Sequence, residues 1–181
     1  MDDKRFLELA YDISVFSNCH KINFGAVIVD PNGEILSEGV NYVPRGIKII
    51  SEKICNLCIR KELGITSGTQ IELCGAIHAE QMACINLKKK YKPKLGENKK
   101  ELTLYLSMAY HGKQKYLKLE KDGKFLFPCS MCARIMWFSH IKEIKFYTIK
   151  NGKIIIYTMP IGEVLSSSLF YVLKNSNSFK K

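Results

Sequence analysis

Apolar and polar positions repeat along this chain with two different periods, one typical of helices and one of strands. A single apolar stripe at helical spacing runs from Asp2 to Phe16 and predicts an amphipathic helix. A β-rich run then spans Phe24 to Val29, and the turn sequence Asp30-Pro31-Asn32-Gly33 leads into a second predicted strand, Glu34 to Asn41. These two strands are expected to form a hairpin.

The rest of the chain continues this alternation. Three further helices are predicted, at Ala76 to Leu87, Pro128 to about Ser139 and Pro160 to Leu173. Three further strands are predicted, at Leu102 to Ser107, Glu143 to Ile149 and Lys153 to Thr158, and Asn151-Gly152 is a strong hairpin turn between the last two. Such an order favours an α/β layered fold with one mixed sheet.

Two stretches interrupt the pattern. Residues 43–75 have weak periodicity, and residues 108–127 lengthen the connection to the following helix, with Asp122-Gly123 as a predicted hairpin turn between Tyr116–Leu119 and Lys124–Phe127. No linker or internal repeat divides the chain. Residues 1–181 are therefore expected to form one domain with two inserts.

Composition and charge narrow the class of protein. No stretch approaches the roughly 20 apolar residues of a membrane span, and no secretory signal pattern is seen, so we expect a cytoplasmic protein without a membrane partner. The net charge of +11 favours anionic partners, either small molecules or nucleic acid. Much of this positive charge lies in residues 88–100, where Tyr91 is the one aromatic residue. This composition fits a solvated loop better than a surface on which bases stack.

Seven cysteines are many for a cytoplasmic protein of 181 residues. Their number is odd and no signal peptide precedes them, so a disulfide framework is disfavoured. Two pairs, Cys55/Cys58 and Cys129/Cys132, have the CxxC spacing that indicates metal binding first and redox chemistry second.

The chemistry is concentrated in two fragments, His78-Ala79-Glu80 and Pro128-Cys129-Ser130-Met131-Cys132. One imidazole and two thiolates can hold Zn²⁺ through His78, Cys129 and Cys132, and a fourth position then stays open for water, as in catalytic zinc sites. His78 and Glu80 can both face one metal only from the end of a helix. The sequence therefore predicts two helix N-termini that converge on one zinc.

Glu80 is the predicted catalytic acid and base. A His-x-Glu motif combined with Pro-Cys-x-x-Cys is the signature of zinc-dependent base deaminases. In that chemistry the carboxylate takes a proton from the attacking water, protonates the ring nitrogen and later protonates the leaving amine. The leading structural alternative is a zinc ribbon built from Cys55, Cys58, Cys129 and Cys132, which leaves His78 and Glu80 unexplained.

At these residues the chain resembles the cytidine and deoxycytidylate deaminase superfamily. The resemblance covers about Phe6 to Phe146, and Cys55–Arg60 and Glu72-Leu73-Cys74 are most similar to the deoxycytidylate branch. It implies a cytidine deaminase-like fold, a three-layer α/β/α sandwich with a five-stranded mixed sheet. It also implies a homo-oligomer. The fifth strand tends to be parallel in the deoxycytidylate and polynucleotide branches, whereas Asn151-Gly152 predicts an antiparallel one.

The resemblance also implies substrate contacts. Asn41 would bond the sugar or base, and the backbone N–H of Ala79 would bond the base carbonyl. Phe127 and Pro128 would contact the substrate, with the carbonyl just before Cys129 bonding the leaving amine. Some phage deoxycytidylate deaminases carry a second, structural zinc, for which this chain offers Cys19, Cys55, Cys58 and Cys74.

Three functions follow as hypotheses. The first is deamination of a cytosine nucleotide, dCMP to dUMP with release of ammonia, in which Lys21, Arg45, Arg60 or Lys113 would hold the phosphate. The second is a nucleic-acid deaminase acting on tRNA adenosine or single-stranded cytosine, which should lose affinity steeply with salt. The third is a non-catalytic, zinc-stapled interaction module, in which Glu80 would have no chemical role.

Overall fold

The computed structural model describes residues 2–44, 58–65, 69–92, 94, 101–110, 113–115, 117–118 and 128–175. The helices in these ranges are α1 (Asp3–Ser14), α2 (Ile59–Glu62), α3 (Ala79–Ile85), α4 (Ser130–Phe138) and α5 (Ile161–Asn175). The strands are β1 (Asn23–Val29), β2 (Ile35–Val40), β3 (Leu102–Tyr110), β4 (Lys113–Lys115), β5 (Leu117–Lys118), β6 (Ile141–Lys150) and β7 (Lys153–Pro160). None of the described helices is long and apolar enough to cross a membrane.

One mixed sheet contains all of these strands. Its five principal strands are joined as β2-β1-β3-β6-β7, and the pair β3/β6 is parallel whereas the other three pairs are antiparallel. The predicted hairpin of β1 and β2 is confirmed. So is the antiparallel hairpin of β6 and β7, in which Asn151 and Gly152 adopt the positive φ values that this turn needs.

Helices cover both faces of the sheet. On one face α1 packs through Phe6, Leu7 and Ala10 against Val27, Val29 and Tyr105. On the other face α3, α4 and α5 share a larger core with the opposite side of the strands, which includes Ala79, Ala83, Met136 and Val164. The three-layer α/β/α sandwich expected from the sequence is therefore confirmed, and the second helical layer carries the candidate chemical residues.

The second insert adds two short strands at one end of the sheet. Strand β4 pairs with the carboxyl end of β3 at Met108–Tyr110, and β5 pairs in parallel with Thr148 and Ile149 of β6, beyond the last β3 partner at Phe146. Residues 119–127 lie outside the described residues, and with them the predicted turn at Asp122-Gly123 and the strand Lys124–Phe127. The observed β5 falls within the predicted Tyr116–Leu119 strand but uses β6 as its partner.

The helix that follows begins slightly later than predicted. The sequence places Pro128 at the first helical position, whereas α4 starts at Ser130 and Cys129 is its N-cap. The reason is that the Cys129 sulfur accepts a hydrogen bond from the backbone of Cys132, which is the arrangement of a cap. Pro128 therefore lies one residue before the N-cap, outside the helix.

Gly39 allows α3 to lie directly on the sheet. A Cβ at this position would overlap the backbone of Ala79 and Ala83. We expect Gly39→Ala to lower the free energy of unfolding by about 1–3 kcal/mol, because the helix must move away from β2. Urea denaturation tests this, with Gly162→Ala as the control, since a Cβ at Gly162 meets only Trp137 at an ordinary 3.7 Å. Equal stability of the two variants would contradict this packing.

A charged cluster ties α1 to the sheet. Tyr105 Oη donates to Asp3 Oδ1 at 2.7 Å, and Lys145 Nζ donates to Asp3 Oδ2 at 2.9 Å. Burial by itself would raise the pKa of Asp3, but these hydrogen bonds and the Lys145 charge hold it below its usual value. Because the folded-state pKa is depressed, the stabilisation is present at neutral pH and is lost as the pH falls through that pKa.

Because the pKa of Asp3 is lowered in the folded protein, the stability that Asp3 contributes should depend on pH. Asp3→Asn should lower the free energy of unfolding by about 1–2 kcal/mol at pH 7, and the deficit should be smaller at an acidic pH below the lowered pKa, where the wild-type carboxylate is protonated as well. Denaturation curves at both pH values measure it, with Asp12→Asn on the exposed side of the same helix as the control. A deficit independent of pH would contradict the charge-based account.

Candidate active site

His78 is held at the start of α3 by a cap. It adopts an extended conformation as the N-cap residue, and its backbone N–H donates to Gln81 Oε1 at 3.0 Å. The Gln81 side chain therefore fixes the backbone that carries the imidazole. Gln81 was not predicted from the sequence as a site residue, although a Gln three positions after a cap is a recognisable capping signal.

Cys129 occupies the same position at the start of α4. Its sulfur accepts from the backbone N–H of Cys132 at 3.4 Å, so the two thiols of the CxxC motif lie in the first turn of one helix. Cys132 is fully buried, and Cys129 is partly buried. Helix N-termini favour thiolate, and this one presents two sulfurs to the same space.

The two helix ends meet. His78 Nδ1 lies 3.5 Å from Cys129 Sγ and 3.3 Å from Cys132 Sγ, and the two sulfurs are 3.3 Å apart. A tetrahedral zinc with Zn–S about 2.3 Å and Zn–N about 2.0 Å holds such donors roughly 3.5–3.8 Å apart. The donor set therefore fits Zn²⁺ in both chemistry and spacing, and the predicted convergence of two helix N-termini is what the structure shows.

The charges at this site are coupled. Burial by itself would lower the pKa of His78, but its interactions with Cys129 and Cys74 and the nearby Glu80 raise it to about 11. The adjacent Cys132 and His78 side chains lower the pKa of Cys129 to about 4, and burial raises the pKa of Cys132. These opposite shifts arise because the imidazole and the two thiols are packed together, and a bound metal ion would replace their protons.

Glu80 lies one residue inside α3 and is only 6% exposed. Burial raises the pKa of its carboxyl group, and the facing His78 charge opposes this rise only in part. A buried carboxyl group with a raised pKa can both accept and donate a proton near neutral pH. Among the described residues that line the adjacent cavity, Glu80 is the one carboxylate.

A cavity of about 150 Å³ opens in front of these groups. Its floor is formed by buried residues at the two helix ends, among them Ala79, Glu80 and Pro128. Its walls come from the segment between α1 and β1, from the start of β1, from the residue after β2, from α2, from the stretch before α3 and from α5. The wall residues that bear on function are Cys19, Lys21, Phe24, Asn41, Arg60, Cys74, Ser168 and Tyr171.

The residues with predicted substrate contacts are mostly brought together here. Asn41, Ala79 and Pro128 line the cavity, whereas Phe127 lies outside the described residues. The Asn41 amide accepts from Phe24 N at 2.7 Å and donates to Ile22 O at 2.8 Å, so it joins β2 to the start of β1. One N–H and one lone pair of that amide are left over from these two bonds.

The cysteines proposed for a second zinc are not gathered in this way. Within the described part of the chain, three metal-ligating side chains come together only at His78, Cys129 and Cys132. Cys19 and Cys74 line the cavity, Cys58 precedes α2, and Cys55 lies outside the described residues. The structure therefore pairs Cys129 and Cys132 with His78 rather than with Cys58, and the second zinc is not shown.

The cavity also contains residues that sequence reasoning did not assign. Ser130 follows Cys129, and Ser168 and Tyr171 come from α5. Helical spacing shows that Ser168 and Tyr171 share a face, but only the packing of α5 on α4 shows that this face meets the active site. Of the four phosphate candidates, Lys21 and Arg60 reach the cavity, while the side chains of Arg45 and Lys113 are outside the described set.

Comparisons with known proteins agree with this geometry. The family model "Cytidine and deoxycytidylate deaminase zinc-binding region" matches residues 1–148. Cytidine deaminase from Burkholderia pseudomallei has a similar fold, with a TM-score of 0.52 and 12% sequence identity over 91% of this chain and 96% of that chain. The dCMP deaminase of the cyanophage S-TIM5 in its apo form is 21% identical over 83% of this chain and 85% of that chain, with a TM-score of 0.47.

A search of curated proteins gives no significant match. The family model nevertheless spans most of the chain and both fragments that form the donor set, and the solved cytidine deaminase shares the fold. Sequence, fold and site geometry therefore agree on one assignment, in which this chain belongs to the zinc-dependent cytidine and deoxycytidylate deaminase family.

Proposed function

We propose that this protein hydrolyses the exocyclic amine of a free cytosine nucleotide, converting dCMP to dUMP and ammonia. One observation carries the proposal. Glu80 is buried beside the donors His78, Cys129 and Cys132, at the floor of a cavity whose walls contain Lys21 and Arg60. The residues at the floor support hydrolytic deamination as the reaction, and Lys21 and Arg60 support an anionic substrate.

The residues at the floor have distinct tasks. His78, Cys129 and Cys132 would hold Zn²⁺, which when bound makes a water acidic enough to act as a nucleophile near neutral pH. Glu80 takes one proton of the attacking water and gives it to the ring nitrogen beside the reacting carbon. It then takes the second proton from the hydroxyl group added to that carbon and gives it to the departing amine, which leaves as ammonia. The backbone at Ala79 and Pro128 would orient the base, since both residues border the same space.

The cations of the walls support a phosphate-bearing substrate. Arg60 is 7% exposed, and its guanidinium donates to Thr69 O at 2.8 Å, which fixes one side of the group. Lys21 is partly exposed and closer to solvent. Two positive side chains within a small cavity favour a nucleotide over an uncharged nucleoside, because a phosphate strengthens the hydrogen bonds that they donate.

A nucleic-acid substrate receives less support. The lysine-rich stretch begins after the carboxyl end of α3, whereas His78 and Glu80 lie at the amino end of that helix. Lys88 is engaged with Glu34 at 3.2 Å near the β1/β2 turn. The described lysines of that stretch therefore do not line the cavity, and they offer no charged path into it.

A nucleoside is the second candidate substrate. The antiparallel pairing of β6 and β7 differs from the parallel fifth strand that the resemblance associates with the deoxycytidylate branch. This strand pairing favours a nucleoside substrate, whereas the cavity cations Lys21 and Arg60 favour a substrate with a phosphate. The substrate assay separates the two candidates.

The test is ammonia release by zinc-loaded protein from dCMP, CMP, deoxycytidine, cytidine and a cytosine-containing single strand. We expect kcat/KM for dCMP to exceed that for deoxycytidine by at least about tenfold, the effect of a charge-assisted hydrogen bond to phosphate. Preference for the nucleosides would move the assignment to the second candidate. Turnover of the single strand alone, with a steep dependence on salt, would overturn the free-nucleotide proposal.

A further inference from the structure

Residues 41–43, which follow β2, are bonded to both sides of the candidate active site. On one side Tyr42 forms a backbone bridge with Ile77, with N–O distances of 2.9 Å in both directions, and Ile77 is the residue before His78. On the other side the Asn41 amide is bonded to the start of β1. This short segment therefore connects the donor set to the wall of the cavity.

Two polar side chains from the connection between α1 and β1 hold this segment in place. Asn18 binds the backbone of Val43 twice, since its Nδ2 donates to Val43 O at 2.9 Å and its Oδ1 accepts from Val43 N at 2.6 Å. Ser17 Oγ donates to Asn41 O at 2.7 Å and accepts from Cys19 N at 3.2 Å. Because Val43 is buried, its backbone groups need partners within the protein, and the Asn18 amide provides one for each.

Asn18 does not itself line the cavity, but the residues that follow it form one of the walls. These wall residues are Cys19, Lys21, Ile22 and Phe24. The connection between α1 and β1 has no helix or strand of its own, so side-chain hydrogen bonds fix its position. We infer that Asn18 is a positioning residue for substrate binding, which holds the wall with Lys21 against the segment with Asn41. The inference rests on the proposed function.

A wall that is held in place before the substrate arrives affects binding more than chemistry. Without the Asn18 bonds, only a fraction of the molecules has the wall in the binding position, and the apparent affinity falls by that fraction. The Tyr42–Ile77 bridge and the Gln81 cap still hold His78, so the bound complex reacts at nearly its normal rate. The expected signature is therefore a raised KM with an almost unchanged kcat.

The experiment compares Asn18→Ala with Asn86→Ala. Asn86 Nδ2 also donates to a backbone carbonyl, Glu38 O of β2 at 2.9 Å, but it lies at the carboxyl end of α3, whereas His78 lies at the amino end. We expect Asn18→Ala to raise KM for dCMP by about tenfold, to change kcat by less than about threefold and to keep the zinc content. Asn86→Ala should leave all three quantities unchanged.

Two further variants test whether Asn18 acts through the wall. Ser17→Ala breaks the neighbouring bonds and should raise KM in the same way as Asn18→Ala. In a Lys21→Gln background, Asn18→Ala should raise KM by less than about threefold, because the cation that it positions is already lost. Additive effects of Asn18→Ala and Lys21→Gln on KM would overturn the inference.

Hydrogen exchange tests the bond itself without any substrate. The amide of Val43, whose acceptor is Asn18 Oδ1, should exchange at least about tenfold faster in Asn18→Ala and at the wild-type rate in Asn86→Ala. An active Asn18→Ala enzyme with an unchanged KM for dCMP, or with a loss confined to kcat or to zinc content, would overturn the inference alone. If the wild-type protein turns over no cytosine compound, the proposed function fails first, which is a different result.

Discussion

Replacing Glu80 by glutamine is expected to lower kcat by about 10²- to 10⁴-fold while the protein keeps its zinc. The amide preserves the size of the side chain but cannot accept and return a proton. Because Glu80 is buried at the cavity floor and is not one of the three metal-ligating side chains, its loss removes proton transfer and leaves the donor set intact. Steady-state kinetics and elemental analysis on the same sample measure both quantities.

The matched control is Glu72→Gln, a change at an exposed glutamate in the short helical turn before His78. It alters the net charge by the same amount and should leave kcat within about twofold, as is usual for an exposed substitution. An unaltered kcat in Glu80→Gln would contradict the assigned chemistry. Such a result would favour the zinc-stapled interaction module, in which the carboxylate has no chemical role.

Removing Cys132 is expected to abolish zinc binding and activity together. Cys132 is fully buried and its sulfur lies 3.3 Å from His78 Nδ1, so Cys132→Ala removes one of the three side chains that could hold the metal and leaves only the imidazole and one thiol. We expect the zinc content to fall from about one per chain to near zero, and the melting temperature to fall with it, because metal binding contributes to folding free energy.

Cys84→Ala is the control for this change. Cys84 is also buried and lies in α3, but it does not belong to the group of three ligands. It should retain full zinc content and turnover. Zinc X-ray absorption of the wild-type protein gives an independent check, with two sulfur ligands at about 2.3 Å and nitrogen or oxygen at about 2.0 Å expected. Four sulfur ligands would instead indicate a cysteine ribbon.

Local chemistry in the sequence was sufficient to predict the floor of the site. The Pro-Cys-x-x-Cys and His-x-Glu fragments each open a helix, and the geometry of a helix end leaves few ways for these side chains to share one metal. The turns at Asp30–Gly33 and Asn151-Gly152 predicted both hairpins for an equally local reason, since the backbone conformations that they require are accessible to few residues.

The walls of the site could not be predicted because they depend on contacts between distant parts of the chain. Nothing near Tyr171 in the sequence shows that α5 returns to α4 and faces the cavity. The pairing of β5 with β6 was missed for the same reason, because a two-residue strand has no pattern of its own. The start of α4 was placed too early because proline suits both the first helical turn and the residues that precede a cap.

The most direct test of the central claim is to incubate zinc-loaded protein with dCMP in ¹⁸O-labelled water and to analyse the product by mass spectrometry. Hydrolytic deamination at this site predicts dUMP that carries one ¹⁸O atom in the base, together with one equivalent of ammonia. Recovery of unchanged dCMP from a sample with full zinc content, or formation of dUMP without the label, would contradict the account.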